Sequence, residues 1–386
     1  MIAIDPRALR AHYGAFLREG RVLLTGHSHQ AWPDVARDGQ LRAWDDAAEL
    51  ADDKWERAFE AAEAVRGAIA ARIGAAPDEI ALGASTHELV ARFLSALDLR
   101  ARPHLVTTSG EFHSMHRQLM RLAEEGARIE IVPWAPVDTL AERLAAAFRD
   151  DTAALLASTV LFETASIVPG LRVAIEAAQR RGAAVLLDAY HAFGALPFSL
   201  AELGPEPIFV TAGGYKYAQW GEGNCFLRVP PGCTMRPVYT GWFSDFANLA
   251  TMRGARAVGY GARGAERFAG STYDPTSHYR ARAVIDFFGA HDLTIDRLRA
   301  LSLAQTGRII AGLEGIDVIT PRQDDARAGF VAMRVEDASG VVGALRARGI
   351  VTDARGDVLR LGPAPYVTDD ELDAAVSHVR DLVIGR

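Results

Sequence analysis

The chain has 386 residues, enough for roughly two domains, and 49% of them are apolar, which can fill a sizeable core. Its net charge of −7 and its scattered arginines give no support for binding nucleic acid or an anionic membrane. No apolar run spans a membrane, and the N-terminus lacks the pattern of a signal peptide, so we expect a cytoplasmic protein. Two cysteines, Cys225 and Cys233, are too few for a disulfide framework or a four-ligand zinc site.

Short β-rich runs alternate with helical stretches over the first two-thirds of the chain. Helical periodicity covers residues 34–74. Strands are predicted at residues 79–82, 104–108, 128–133, 154–161, 184–189, 208–212 and 224–229. Helices are predicted at 86–97, 114–125, 138–148 and 171–181. This alternation predicts an α/β fold with a mostly parallel, doubly wound sheet, whose strands have their C-terminal ends at one edge.

The pattern changes at about Tyr273, where two long helical stretches precede short strand-like runs. Those runs lie at residues 316–320, 329–335 and 357–362. They predict a smaller α+β domain at the C-terminus. We therefore divide the chain into an N-terminal segment at 1–40, a large domain at 41–272 and a small domain at 273–386. A cleft between the two domains is the expected ligand site.

Lysine is rare in this chain, because Lys54 and Lys216 are the only lysines among 42 basic residues. Lys54 lies in a charged helical stretch, where a solvated lysine is ordinary. Lys216 follows an apolar strand in a glycine-rich loop, where α/β proteins place their chemistry. Unlike arginine, a lysine can lose its proton and form an imine. The alternative is a loop lysine without a function.

Asp188 also ends a predicted strand, where it could simply cap the next turn. An aspartate that keeps a pyridinium nitrogen protonated and a lysine that forms an imine, such as Lys216, are the two groups that pyridoxal phosphate requires. Ser85 and Thr86 begin a predicted helix and could bind the phosphate, although such hydroxyls are usually only N-caps. Phe112 follows a strand and could either stack on the cofactor or pack in the core.

Other polar residues are candidates for binding a substrate. Arg360 lies in an apolar strand-like run, where a guanidinium needs a carboxylate partner or must reach solvent. His27 and His29 lie together in an N-terminal loop. They could contact a substrate, form a surface pair or, less readily, bind a metal ion. We expect no metal site.

Taken in order, these segments resemble the class V aminotransferase superfamily of fold type I pyridoxal-phosphate enzymes, and the kynureninases in particular. The resemblance extends over nearly the whole chain. Its specific parts are LLDAYHAFGALP, which contains Asp188, and GGYKYAQWGEGNCFL, which contains Lys216. The less specific parts follow in the same order: RVLLTGHSHQAWP, DEIALGASTHEL, EFHS, GWFSD, ERFAGST and DVLRLGPAPY.

The resemblance implies pyridoxal 5'-phosphate as the cofactor and assigns roles around it. Lys216 would carry the cofactor as a Schiff base and move the α-proton of the substrate. Asp188 would hold the ring nitrogen, with His191 beside it. Tyr215 would contact the phosphate and assist the proton transfer. Phe112 would stack on the ring.

The resemblance also implies where the substrate and a second subunit lie. Arg360 would bind the α-carboxylate of an amino acid, with Ser28 and His27 nearby. The segments that reach the phosphate from a partner subunit contain Trp242, Ser271 and Thr272. A homodimer with its active site at the subunit interface is therefore implied.

A kynureninase would hydrolyse the Cβ–Cγ bond of kynurenine or a related aryl-keto amino acid. Two positions depart from the family pattern: Met115 replaces an Asp, and Leu161 lies where an Asn is usual. A class V aminotransferase would share the same lysine, aspartate and arginine, so it remains an alternative. A cysteine desulfurase would need a reactive cysteine well after the lysine, and a non-catalytic binding protein on the same fold is the alternative from another class.

Overall fold

A seven-stranded β-sheet forms the centre of the protein in a computed structural model that describes residues 4–18, 20–204, 207–250 and 257–385. The strands within these residues are β1 (Val22–Leu23), β2 (Ile80–Gly83), β3 (His104–Thr108), β4 (Arg128–Val132), β5 (Thr152–Ser158), β6 (Ala184–Asp188), β7 (Phe209–Gly213), β8 (Cys225–Arg228), β9 (Val331–Arg334), β10 (Ile350–Val351), β11 (Asp353–Arg355) and β12 (Val358–Leu361). The large sheet has the order β2-β8-β7-β6-β5-β3-β4.

Helices cover the sheet and build the C-terminal region. They are α1 (Pro6–Arg10), α2 (Val35–Leu50), α3 (Lys54–Ile73), α4 (Thr86–Ser95), α5 (His113–Glu124), α6 (Leu140–Ala146), α7 (Leu171–Arg180), α8 (Leu200–Leu203), α9 (Thr276–Ala290), α10 (Ile295–Gly312), α11 (Ala338–Ala347) and α12 (Asp369–Val383). Helix α9 packs against α2 and α3, and α10 packs against α12. No helix within the described residues is long and apolar enough to cross a membrane.

The central strands are parallel and buried on both faces. Strands β4, β3, β5, β6 and β7 run parallel in that spatial order, whereas β8 is antiparallel to both β7 and β2. Every residue of β3, β5 and β7 is buried. A strand covered on both faces reads as a continuous apolar run rather than an alternating one. The predicted α/β fold with a mostly parallel sheet is confirmed.

Some predicted elements differ from the structure. The helical stretch at 34–74 is two helices, because Ala51 has a φ of +48° and a short 3-10 turn separates α2 from α3. The strand predicted at 316–320 is reduced to a single bridge between Val318 and Met333. The two- and three-residue strands β10 and β11 were not predicted. The division at residues 41 and 273 stays a prediction.

The N-terminal segment joins the C-terminal region, and this contact positions part of the site. Strand β1 pairs in parallel with β10, and Thr25 forms a bridge with Gly362 just after β12. The C-terminal sheet has the order β11-β12-β9 and is antiparallel. The Ala31 backbone N–H also donates to the Tyr366 hydroxyl over 2.9 Å. The loop at 24–32 is thus held beside the β11–β12 hairpin.

Candidate active site

A cavity of about 380 Å³ lies at the C-terminal ends of β5 and β6, beside the N-terminus of α4. Seven of the predicted cofactor residues share its lining: Ser85, Thr86, Phe112, Asp188, His191, Tyr215 and Lys216. Parallel strands place their C-terminal ends at one edge of a sheet, which explains how residues from distant segments meet here.

Lys216 lies in the loop after β7, and only 5% of it is exposed. Its Nζ is 2.8 Å from His191 Nε2 and 4.6 Å from the centre of the Tyr190 ring. Burial lowers the pKa of this amine to about 7, although the negative charge of Asp188 partly opposes the effect. A large fraction of the amine is therefore unprotonated at neutral pH, as a lysine nucleophile requires.

Asp188 is the last residue of β6 and faces the same cavity. Its Oδ1 accepts a hydrogen bond from the Tyr190 backbone N–H over 2.8 Å. Burial raises the pKa of the carboxyl, while this N–H and the charge of Lys216 lower it. A buried carboxylate that retains acceptor capacity is suited to pair with a cationic ring nitrogen.

His191 is neutral, because burial and the charge of Lys216 lower its pKa well below the ordinary value. Its Nε2 can therefore accept a hydrogen bond from Lys216 Nζ. Its Nδ1 is buried and has no hydrogen-bond partner among the residues that the structure describes. The imidazole thus holds the lysine amine in place without adding a second positive charge to the cavity.

The opposite end of the cavity lies at the N-terminus of α4. Ser85 is the N-cap, and its hydroxyl accepts the Glu88 backbone N–H over 3.2 Å. Ser85 and Thr86 also line the cavity, so the capping role does not exclude a role in binding. Free N–H groups and the dipole of a helix N-terminus favour an anion such as a phosphate. The nearby Glu88 carboxylate is paired with Arg92.

Aromatic side chains form the walls of the cavity. The Phe112 ring lies 5.7 Å from Lys216 Nζ and packs edge to face against Phe162 at 5.5 Å. Burial raises the pKa of Tyr215 to about 12, so its hydroxyl stays protonated at neutral pH. Met115, which departs from the family pattern, is buried and lines the same space. The wall is mostly apolar on the side away from Asp188.

Arg360 lies behind this wall rather than in the lining. Its Nε and Nη2 donate to the two carboxylate oxygens of Asp353 over 3.1 and 2.6 Å. Its Nη1 donates over 2.9 Å to the backbone carbonyl of Phe162, a residue that lines the cavity. The carboxylate partner that the sequence demanded is therefore supplied within the chain. The charge of Arg360 is still close enough to lower the pKa of Lys216.

His27 and Ser28, two predicted substrate residues, lie outside the cavity lining. His27 has no exposed surface, stacks on Phe330 and bonds to Asp353. The Ser28 hydroxyl donates to the Thr25 carbonyl and closes its own turn. His27 thus bonds to Asp353, the carboxylate partner of Arg360, and does not line the Lys216 cavity.

The residues predicted to come from a second subunit lie beside a different cavity. Ser271 and Thr272 line a space of about 880 Å³, which shares Ala84, Glu222 and Gly223 with the lining of the smaller one. Trp242 is 38% exposed and packs against Phe243 and Phe246. Within one chain none of the three lines the Lys216 cavity. Their contribution to a partner's site stays a prediction.

Sequence reasoning missed Glu111, a buried carboxyl beside the site. Its oxygens accept the Thr108 hydroxyl over 2.6 Å, the Ser158 hydroxyl over 2.6 Å and the Ser158 backbone N–H over 3.0 Å. The signal for it was an acidic residue in the short loop that follows β3, immediately before Phe112. Burial raises its pKa to about 7, and the nearby charge of Asp188 adds to the shift.

Comparisons with known proteins place this chain in a family. The family model of the kynureninase C-terminal domain matches residues 298–379. The chain is 30% identical to the kynureninase of Deinococcus radiodurans over 349 residues, which cover 88% of this chain and 81% of that protein. This chain belongs to the kynureninase family. As a member of that family it is a pyridoxal-phosphate-dependent enzyme of fold type I, as its sequence implied.

Two further similar proteins carry different names. An uncharacterized aminotransferase of Bacillus subtilis, YcbU, is 25% identical over 334 residues, which cover 86% of each chain. A solved structure of the protein C-DES, with glycine covalently linked to its PLP cofactor, aligns with a TM-score of 0.84. It covers 96% of this kynureninase-family chain and 99% of C-DES, with 16% identity. At that identity the similarity concerns the fold alone.

Proposed function

We propose that this kynureninase-family protein hydrolyses the Cβ–Cγ bond of kynurenine or of a related aryl-keto amino acid. The observation that carries the proposal is the buried Lys216 beside Asp188, in a chain that is 30% identical to a named kynureninase. The products would be alanine and an aromatic acid. Water supplies the hydroxyl group of that acid and the hydrogen that replaces the broken bond at Cβ.

The cavity fits pyridoxal phosphate by the chemistry of its residues. Lys216 would hold the aldehyde carbon and Asp188 the ring nitrogen, while Phe112 would cover a face of the ring. Ser85 and Thr86 would bind the phosphate at the start of α4. When bound, the cofactor supplies an electron sink for charge that develops on the substrate.

Side chains of the protein would carry out the proton transfers. An amine with a pKa near 7 can both take a proton from the substrate Cα and return it at neutral pH. The neutral His191 would accept an N–H from Lys216 Nζ and so hold the amine in one orientation. Tyr215 stays protonated and would donate a hydrogen bond to the phosphate or to an oxygen of the substrate.

The shape of the wall supports an aromatic side chain on the substrate. Phe112, Met115, Val160 and Phe162 line the cavity together with the polar residues. An aromatic ring packs favourably against such edges and faces. Water would be excluded along this wall.

Transamination is the second candidate, because the relative from Bacillus subtilis is named an aminotransferase. Lys216, Asp188 and Arg360 would serve that reaction equally well. A desulfurase reaction is less suited to these residues. Cys225 lies in β8, and burial raises its pKa to about 11, so that its thiol stays protonated and is a poor nucleophile.

The test is to incubate the cofactor-loaded protein with L-kynurenine and to follow anthranilate by its fluorescence and alanine by chromatography. We expect both products in equal amounts and neither from Lys216→Ala. Loss of an amino group to a supplied 2-oxo acid, with no anthranilate, would replace the hydrolase with the aminotransferase. A protein that gives no visible absorption band with pyridoxal phosphate would refute both.

A further inference from the structure

A row of three polar side chains, of which His27 and Arg360 are buried and Asp353 is partly buried, runs from the N-terminal loop to the cavity wall. His27 Nε2 lies 2.8 Å from Asp353 Oδ1, and the other carboxylate oxygen of Asp353 lies 2.6 Å from Arg360 Nη2. Asp353 and Arg360 face each other across the β11–β12 pair, so the backbone fixes their separation. His27 comes from more than 300 residues away, through the contact of its loop with this hairpin.

The contacts of Arg360 leave part of its guanidinium for another ligand. A guanidinium has five N–H donors. One on Nε and one on Nη2 bind Asp353 side-on, and one on Nη1 binds the Phe162 carbonyl. Among the contacts of the described residues, one N–H on each of Nη1 and Nη2 therefore remains. Two such hydrogens match the spacing of the oxygens of a carboxylate.

The remaining N–H groups of the Arg360 guanidinium favour an anion as that ligand. Burial raises the pKa of Asp353, but the hydrogen bond from His27 and the charge of Arg360 outweigh it and hold the pKa well below its usual range. Burial lowers the pKa of His27 to about 4, so this imidazole is neutral and supplies only an N–H. Near the wall, the charges of Arg360 and Arg355 lower the pKa of Lys216, whereas the carboxylates of Asp188 and Asp353 raise it.

The His27 ring is packed so tightly that its surroundings fix its position beside Asp353. A Cβ at Gly362 would lie 2.2 Å from His27 Nδ1, so this position must be glycine for the ring to fit. The ring also stacks on Phe330 at 4.7 Å, and the Arg360 guanidinium lies 5.9 Å from the same ring. The imidazole and the guanidinium are thus both fixed against Phe330.

We infer that His27 and Asp353 are positioning residues that hold the guanidinium of Arg360 ready for the α-carboxylate of the amino-acid substrate. This inference rests on the proposed function, because it requires an amino-acid substrate in the Lys216 cavity. A long arginine side chain otherwise loses rotamer freedom when it binds. Fixing it beforehand, through a carboxylate that is itself fixed, strengthens the binding of the substrate carboxylate and of no other part of the substrate.

The test compares two ligands that differ only in a carboxylate. Cofactor-loaded protein is titrated with L-alanine and with ethylamine, which is L-alanine without its carboxylate, and the change in the visible absorption of the cofactor gives each dissociation constant. For Asp353→Asn we expect the L-alanine constant to rise about tenfold to a hundredfold, with the ethylamine constant within about twofold of wild type. No turnover is needed.

Matched variants show whether the effect passes through this row. His27→Gln keeps a donor for Asp353 and should stay near wild type, whereas His27→Leu removes the donor and should weaken L-alanine alone. Asp357→Asn makes the same change at an exposed carboxylate of the same hairpin and should change nothing. In an Arg360→Gln background, Asp353→Asn should add less than about a twofold effect, since both act on one contact.

The outcomes separate the inference from the proposed function. If Asp353→Asn weakens both ligands equally, or neither, the positioning role is refuted while the proposed function stands. If the absorption of the wild-type protein responds to neither ligand, the proposed amino-acid site itself is refuted, and the inference with it. An unchanged cofactor absorption band in the variants shows that they are folded and loaded, so a negative result counts.

Discussion

Burial controls the charge of the side chains around Lys216. It lowers the pKa values of Lys216 and His191 and raises that of Tyr215. Desolvation always disfavours the charged form, so bases and acids shift in opposite directions. The result is an amine, an imidazole and a phenol that can all be neutral at pH 7. Such a set can pass a proton without separating charges in a buried space.

In the cofactor-free protein, the reaction of Lys216 with cyanate should titrate with a midpoint near pH 7. Cyanate attacks only the unprotonated amine, and burial lowers the pKa of Lys216 to about 7. The negative charge of Asp188 favours the protonated amine. Asp188→Asn should therefore shift the midpoint to a lower pH. Mass spectrometry of the Lys216 peptide measures the extent of reaction at each pH.

Lys54 in the same digest normalises the reagent dose, because it is the other lysine of the chain. A Lys216 midpoint above pH 9 would mean that burial does not control this amine. A midpoint that rises in Asp188→Asn would contradict the sign of the interaction between the two groups.

Glu111 should make the stability of the protein depend on pH in the direction opposite to that of a paired carboxylate. Its pKa is raised to about 7, so the folded state holds its proton more tightly than the unfolded state does. The stabilisation is full below the unfolded pKa of roughly 4.3 and is lost as the pH rises through about 7. Glu111→Gln does not titrate and escapes this loss.

The measurement is the free energy of unfolding of wild type and Glu111→Gln at pH 5 and pH 8. We expect wild type to lose up to about 3 kcal/mol relative to the variant between these values. Equal pH dependence in the two proteins would mean that the three hydrogen bonds keep Glu111 ionised in spite of its burial.

At the level of the elements, the sequence predicted what depends on local pattern. The buried runs at β3, β5 and β7 and the strand ends at Asp188 and before Lys216 were legible, because burial on both faces leaves a continuous apolar signature. The antiparallel direction of β8 could not be predicted, because an apolar run does not show in which direction a strand runs. Ala51 at positive φ was equally hidden, since alanine gives no signal for such a turn.

Some contacts of the site could not be predicted from the sequence, for a different reason. Lys216 and Asp188 could be found because each residue type is demanded by the chemistry. His27 contacts Asp353, 326 positions away, and the two are brought together by the pairing of β1 with β10 and by the bridge between Thr25 and Gly362. Glu111 could be recognised as part of the site only through its hydrogen bond with Ser158 on a neighbouring strand. Contacts of this kind depend on the packing of elements and not on the pattern within one.

The contact of α2 with α9 should fail when a methyl group is added at Gly39. A Cβ there would lie 2.6 Å from the Tyr279 backbone carbonyl oxygen, which cannot move without shifting α9. Gly39→Ala should destabilise the protein by about 1–3 kcal/mol. Gly67→Ala is the matched control in α3, where a Cβ meets nothing within 4 Å. It should stabilise by about 0.5–1 kcal/mol through helix propensity.

Urea unfolding followed by tryptophan fluorescence compares the two variants with wild type under one set of conditions. If Gly39→Ala is as stable as Gly67→Ala, the close approach of α2 and α9 is not required for folding.

For the whole molecule, the large apolar side chains exposed near the second cavity point to a subunit interface. The exposed set around it comprises Val238, Tyr239, Trp242, Phe246 and Leu249. A contiguous exposed patch of this kind usually marks an interaction site. We predict a homodimer, so that sedimentation should give twice the 41.6 kDa mass of the chain.

A charge at this surface should separate the subunits. Phe246→Asp should shift the sedimenting species toward the monomer and weaken the retention of the cofactor. Val173→Asp, on the exposed face of α7, is the matched control and should remain a dimer. A wild-type protein that sediments as a monomer at all concentrations would contradict the interface and leave Trp242, Ser271 and Thr272 without their predicted role.

Because lysine is rare in this chain, chemical modification of its lysines can measure the fraction of protein that carries the cofactor. Reductive methylation modifies the amines of lysine side chains but not the guanidinium groups of arginine. Lys54 and Lys216 are the only lysines of the chain, so they are the only side chains that such a reagent can modify. A cofactor bound at Lys216 blocks one of the two. The ratio of modified peptides in a single digest then equals the fraction of empty sites, so preparations can be ranked by occupancy before any substrate is known.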